Sequence, residues 1–272
     1  MCELFAMSSR FPTTVSFSLE RLARRGGIEA PHRDGWGVAY YEQRDTFLLR
    51  EPRAAAESEL AGYIEHNGPP SQLVISHIRQ ATIGEVALRN TQPFVRELGG
   101  AAHIFAHNGD LEGIEKLQNS SNGSFKTIGD TDSEQAFCIL LSRLQTLWMN
   151  GNNKVPSLEK RLAIISAFAK ELRELGPANF LYADSDALFV HPHQRTQEDG
   201  EMKPPGIHML VRLCHEAPLD LSDSGITLTS LPQETVLLAS VPLTDEPWQA
   251  LPSGEVIVVR NGSVSDVELP GC

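Results

Sequence analysis

Apolar residues recur along this chain with two periods, about 2 and about 3.6 residues, and the switches between them mark out its elements. Residues 2–7 are apolar enough for a short buried strand, closed by Ser8-Ser9. Over residues 17–25, Leu19, Leu22 and Ala23 keep helical spacing, and Gly26-Gly27 stands where a helix stop belongs. Strands are predicted at 35–41, 46–50, 72–78 and 102–108, with a helix over 55–66. Two long amphipathic helices follow. In 132–149 the apolar set is Ala136, Phe137, Leu140, Leu141, Leu144, Leu147 and Trp148, and in 157–174 it is Leu158, Leu162, Ile165, Ala169 and Leu172. Each has a face to bury. The remainder reads as strands at 179–183, 187–191, 206–213 and 235–241, then a hairpin over 255–268 about Asn261-Gly262, the dipeptide that suits a type I′ turn. Helices lying between two blocks of strands predict an α+β sandwich.

Composition narrows this picture. With 272 residues, 41% of them hydrophobic, and no linker-like or low-complexity run, the chain reads as a single domain over 1–272 around one large core. A net charge of -12 and a pI near 5.2 argue against nucleic acid and anionic membranes as partners. Cys2, Cys138, Cys214 and Cys272 are too widely spaced for a disulfide framework or a zinc site. His191, His193, Cys214 and His215 lack four-ligand spacing, so no metal is expected. No run reaches the roughly 18 apolar residues of a membrane span, and no signal region precedes Cys2, which together point to a cytoplasmic protein.

The chemistry gathers at Cys2 and at the ends of predicted strands. If Met1 is trimmed, Cys2 carries a thiol and a free α-amine on one Cα, with unperturbed pKa values of about 8.5 and about 7.7–8.0. The amine can then serve as the base for its own thiol. The run Ser76-His77-Ile78-Arg79-Gln80-Ala81-Thr82 ends a buried strand in an arginine, either a surface ion-pair partner or a bidentate fork for a substrate carboxylate, with the Thr82 hydroxyl nearby. Ala106-His107-Asn108-Gly109 is either a plain Asn-Gly turn or an oxyanion hole made of the Asn108 amide and the Gly109 N–H. In Gly129-Asp130-Thr131-Asp132-Ser133-Glu134, Thr131 or Asp132 caps the following helix, or one carboxylate faces a ligand ammonium. Pro31-His32-Arg33-Asp34-Gly35-Trp36-Gly37 reads as a close backbone approach and as a pocket wall. A thiol, an oxyanion hole, an arginine and an aspartate together complement an amino acid that carries a side-chain amide. Cys138, beside Phe137 on a predicted helix, reads as a packed core thiol.

These runs, with Met1-Cys2-Glu3-Leu4, Glu85-Val86-Ala87-Leu88 and Asn90-Thr91-Gln92-Pro93-Phe94, resemble the class II glutamine amidotransferases, in particular their YafJ-like stand-alone branch. The resemblance runs along nearly the whole chain and is motif-specific to about Leu140. It implies a four-layer αββα sandwich of the N-terminal-nucleophile hydrolase type, glutamine as substrate and a thioester intermediate. By the same resemblance Cys2 is the nucleophile and its amine the base, and Asn108 and Gly109 form the oxyanion hole. Arg79 and Thr82 bind the α-carboxylate, Asp132 takes the α-ammonium, and Arg33 is a further substrate contact. No metal or organic cofactor enters such a reaction. The larger family members have Trp where this chain has Gln80 and His where it has Ile83, so the flap over the substrate is expected to close differently. Those members also carry an ammonia-consuming domain. Here ammonia is expected to pass to a separate protein, or the chain acts on another γ-glutamyl compound. Further alternatives are a non-catalytic glutamine- or glutamate-binding subunit, with Met1 retained or the amine blocked, and an N-terminal-cysteine hydrolase for other carbon-amide substrates such as acylated amino compounds.

Overall fold

The structure is a computed structural model and describes residues 2–14, 32–118, 124–150, 154–214, 220–221, 226–227 and 233–265. The helix expected over 17–25 lies outside the described residues.

Strands come first: β1 (Glu3–Thr13), β2 (Trp36–Glu42), β3 (Asp45–Glu51), β4 (Ser71–Ile78), β5 (Phe94–Leu98) and β6 (Ala101–Asn108). Helices α1 (Glu59–Asn67), α2 (Glu115–Gln118), α3 (Asp132–Met149) and α4 (Leu158–Arg173) interrupt them, and β7 (Asn179–Ala183) and β8 (Leu188–His191) follow. The two-residue ladders β9 (Arg195–Thr196) with β10 (Met202–Lys203) and β12 (Asp220–Leu221) with β13 (Ile226–Thr227) flank the longer β11 (His208–Cys214). Last come β14 (Gln233–Ala239), β15 (Gln249–Ala250), β16 (Ile257–Arg260) and β17 (Ser263–Val264).

Two antiparallel sheets result, of seven strands in the order β15-β11-β14-β1-β4-β2-β3 and of six in the order β17-β16-β8-β7-β6-β5. Period-2 alternation sorts each strand between layers. On β1, Leu4 and Ala6 meet Ile75, Ile104, Ala106, Leu181 and Val190 between the sheets, whereas Phe5 and Met7 point outward to Trp36, Val38, Ala61 and Ile64 beneath α1. The outer face of the second sheet packs Phe105, Phe180 and Phe189 against Phe137, Leu140 and Leu144 of α3 and Ile165, Phe168 and Leu172 of α4. This is the αββα order expected from the sequence. The apolar faces of α3 and α4 explain why they form: each is helical in water because one stripe is buried.

Apart from shifts at element ends, the longer strands differ from the sequence reading at β1 and β5. β1 continues through Ser8-Ser9 to Thr13, because both serines are buried and bonded, Ser9 Oγ to the Phe11 carbonyl at 2.8 Å and Ser8 Oγ from the Gly262 N–H at 3.2 Å. β5 was not expected at all; it is an edge strand with Val95, Arg96 and Glu97 partly or fully exposed, so it lacks the alternation that marks a half-buried strand. The predicted turn at Asn261-Gly262 is present, with φ of 52° and 77°.

Candidate active site

β1 is central in its sheet, paired to β4 on one side and β14 on the other, and this fixes where its first residues lie. Cys2 precedes Glu3, which is opposite Ile78, so the thiol stands next to the residues that follow β4. The Cys2 Sγ donates to the Gln80 carbonyl and accepts from the Gln80 N–H, each at 3.4 Å. From the second sheet, Asn108 at the end of β6 donates through Nδ2 to the Cys2 carbonyl at 2.6 Å. Its Oδ1 is buried without a partner.

Asn108 connects Cys2 to Asp132. Three residues past Asn108, the Leu111 N–H donates to Asp132 Oδ2 at 2.7 Å. Thr131 is the helix cap, its Oγ1 accepting from the Glu134 N–H at 3.3 Å, and Asp132, the first residue of α3, accepts through Oδ1 from the Ser133 N–H at 2.7 Å and the Ser133 hydroxyl at 3.3 Å. Arg79 completes the group. It is buried, and its guanidinium donates to the carbonyls of Ile83 at 2.9 Å, Gly84 at 3.1 Å and Glu85 at 3.0 Å, so the segment after β4 folds back over its own arginine. Thr82 Oγ1 donates to Asp110 Oδ1 at 2.5 Å, joining that segment to the loop after β6. Thus Cys2, Asn108, Gly109, Asp132, Arg79 and Thr82 belong to one stitched set of loops. Arg33 is exposed.

A family model described as class-II glutamine amidotransferases matches residues 1–270. The chain belongs to the class II glutamine amidotransferases. It is 36% identical over 257 residues to YafJ of Escherichia coli K12, covering 94% of this chain and 96% of the relative. A crystal structure of a predicted glutamine amidotransferase from Pseudomonas aeruginosa PA01 superposes with a TM-score of 0.69 at 33% identity, over 97% of this chain and 99% of that one. The glutamine phosphoribosylpyrophosphate amidotransferase of Bacillus subtilis shares the fold, with a TM-score of 0.57 at 17% identity over 97% of this chain and 48% of that one. The amidotransferase is therefore an enzyme with the αββα fold of the N-terminal-nucleophile type.

Electrostatics in this amidotransferase disfavour a free thiolate. Burial pushes the Cys2 thiol up to about 11, only partly opposed by the Gln80 N–H and by Arg79. His77, in the strand that leads to Arg79, is pushed down to about 3 by burial and by the neighbouring His107 and Arg79, so it stays neutral. His107 is lowered in the same direction by burial, and its Nδ1 meets Ser133 Oγ at 2.9 Å.

Trp36 corrects the expectation of a pocket wall: it is fully buried in the outer core under α1, facing away from the site. The glycines beside it do serve the expected close approach, since a Cβ on Gly37 would fall 2.3 Å from the Gln92 carbonyl oxygen. Gly109 is constrained in the same way, for a Cβ there would lie 1.7 Å from the Pro177 carbonyl oxygen. Cys138 is buried, as expected of a core thiol.

Several positioning residues escaped the sequence reading. Asp34 accepts from the Ala81 N–H at 2.7 Å. Gln92 pairs its whole amide with His107, accepting from the N–H at 2.6 Å and donating to the carbonyl at 3.2 Å, and so aligns the residue before Asn108. Glu134 is buried, bonds Arg96, and accepts from the Ile128 N–H at 3.1 Å and the Gly129 N–H at 2.6 Å, shaping the loop that leads to Asp132. Among the described residues there is no group of three or more His, Cys, Asp and Glu able to hold a metal ion, and no helix long and apolar enough to cross a membrane.

Proposed function

We propose that this amidotransferase hydrolyses the side-chain amide of glutamine through a Cys2 thioester, releasing glutamate and ammonia to an acceptor protein. The observation that carries the reading is the meeting of Cys2 and Asn108: a thiol and a donor amide from two different sheets, joined at 2.6 Å through the Cys2 carbonyl. The Cys2 sulfur attacks the amide carbon, and the proton it loses passes to the α-amine left when Met1 is removed. With Met1 in place burial pushes the Cys2 thiol up to about 11; removing Met1 puts a free α-amine on the same Cα, where it can serve as the base for that thiol. Asn108 Nδ2 and the Gly109 N–H receive the tetrahedral oxyanion. The ammonium form of the amine then protonates the departing ammonia. In the second half, water gives a proton to the same amine and its oxygen attacks the thioester carbon, releasing glutamate and the thiol.

Arg79 supplies a fork for the α-carboxylate and Asp132 a carboxylate for the α-ammonium, with Thr82 and Arg33 toward the rim. Binding both ends of the amino acid places the amide carbon at the sulfur. That is the effective-molarity advantage of a positioned substrate.

Cys2→Ala is expected to abolish glutamate and ammonia release while leaving glutamate binding measurable by calorimetry. Intact mass of the wild-type enzyme should show loss of Met1. Turnover in Cys2→Ala at the wild-type rate would remove the nucleophile assignment. A panel of γ-glutamyl compounds assayed in parallel identifies the preferred leaving group.

A further inference from the structure

Residues 2 to 4 are gripped by three distant parts of the chain. The Cys2 carbonyl accepts from Asn108 at 2.6 Å, and the Glu3 carboxylate accepts from Arg195 at 3.1 Å. Leu4 makes two bonds with Ser240: its N–H donates to Ser240 Oγ at 2.9 Å, and its carbonyl accepts from the Ser240 N–H at 3.0 Å. Arg195 closes the arrangement by donating to the Ser240 carbonyl at 2.8 Å. One guanidinium thus ties the side chain of residue 3 to the backbone that holds residue 4. Glu3 is 2% exposed and Arg195 8% exposed, so neither is a solvated surface pair.

Sheet formation does not require this clamp. The ladder to β4 already reaches Glu3 opposite Ile78, and the ladder to β14 begins at Phe5 opposite Ala239. The extra constraint falls where the central strand runs out, one residue from the thiol. Placing a charged pair there, in a protein interior, is costly unless both ions are well bonded. Arginine meets that demand in part, because its planar fork serves a carboxylate and a carbonyl in fixed directions at once, while its Nε is buried without a hydrogen bond.

We propose that Arg195 is a positioning residue for the nucleophile: through Glu3 and Ser240 it holds the end of β1 so that the Cys2 sulfur stays aligned with Asn108. This rests on the reading of Cys2 as the nucleophile. Arg195 touches no substrate atom; it acts on kcat through the placement of residue 2.

The full-length Arg195→Lys, Arg195→Met and Glu3→Gln/Arg195→Met enzymes test this, with kcat and KM for glutamine and the rate of iodoacetamide alkylation at the Cys2 peptide followed by mass spectrometry. Arg195→Met is expected to lower kcat by about tenfold or more with KM within about twofold, the effect of a nucleophile displaced by a fraction of an ångström. Lysine should recover part of that loss. The double variant removes the unpaired buried carboxylate and so protects folding, yet should keep the kcat defect. Should Arg195→Met be insoluble, the double variant alone decides. Wild-type kcat and alkylation rate in a folded Arg195→Met or double variant overturn the proposal. So does a parallel worsening of kcat and KM that lysine does not relieve. A Cys2→Ala control separates the failures: turnover there removes the nucleophile reading, whereas an inactive control beside fully active Arg195 variants removes only the clamp.

Discussion

Two buried arginines, Arg161 on α4 and Arg79 just after β4, keep opposite company. Arg161 is 1% exposed and is surrounded by carboxylate, donating to Asp184 at 2.9 and 2.7 Å and to Asp186 at 2.7 Å, with its guanidinium 5.7 Å above the Phe189 ring. Arg79 is 3% exposed and donates only to the carbonyls of residues 83–85. Burial lowers its pKa, with Cys2 and Asp34 opposing at longer range. Arg161 is electrostatically complete, and any further anion would have to displace a carboxylate. Arg79 holds neutral acceptors that an anion can replace at a gain. Burial alone therefore does not tell the two arginines apart; the charge of their partners does.

Arg161→Met tests one side of this contrast and should have the largest effect. It leaves the fully buried Asp184 without its cation, while Asp186 keeps Arg260, and an unfolding free energy lower by about 3–5 kcal/mol is expected in urea titration. The KM for glutamine of the protein that remains folded should not move. A loss below about 1 kcal/mol would mean that the pair is not the structural lock its geometry suggests.

Arg79→Lys tests the other side. Lysine keeps the charge and loses the fork, so KM for glutamine should rise about 10- to 100-fold, with kcat nearly unchanged and stability shifted by less than about 1 kcal/mol. Should stability fall instead and KM stay put, Arg79 is a loop anchor, and the two arginines are alike after all.

The Arg79 corner also contains His77, whose imidazole is pushed to about 3 from a usual 6.5 by burial first, then by His107 and Arg79. The unfolded chain takes up this proton below pH 6.5 and the folded chain does not until near pH 3, so the unfolded state binds more protons in that window. Stability is thus full above pH 6.5 and lost as pH falls toward 3, by up to about 1.4 kcal/mol per pH unit for one such group. His77→Gln should flatten the acid limb of urea midpoints measured across that window. An unchanged slope would assign the limb to His103 and His191, which are lowered to about 4 and about 3 by burial.

How much of this was legible depends on the range of the interactions. Residues 132–149 and 179–183 match α3 and β7 end to end, because Thr131 caps the first and short apolar periodicity defines the second. Cys2, Asn108 and Asp132 stood out as residue types at strand or helix ends. Asp34, Gln92 and Glu134 did not, since each acts on backbone N–H groups in another segment and leaves no local pattern. Glu3 and Arg195 are 192 positions apart, and only the sheet order brings them together. Trp36 misled because an aromatic between glycines looks the same in sequence whether it faces a pocket or a core.

Thr82 gives the finest test of the contrast, because the sequence reading and the geometry assign its hydroxyl differently. As a carboxylate ligand it would act beside Arg79. In the structure it donates to Asp110 at 2.5 Å, an exposed contact that ties the segment over Arg79 to the loop bearing Asn108. An exposed bond of this kind contributes about 0.5–1.5 kcal/mol, so Thr82→Val should raise KM only a few-fold, well short of Arg79→Lys. A double-mutant cycle with Asp110→Asn then separates the two roles. If Thr82 works through Asp110, the second substitution adds almost nothing to the first. If it binds the substrate directly, the two effects add, and the neutral acceptors around Arg79 are only part of the anion site.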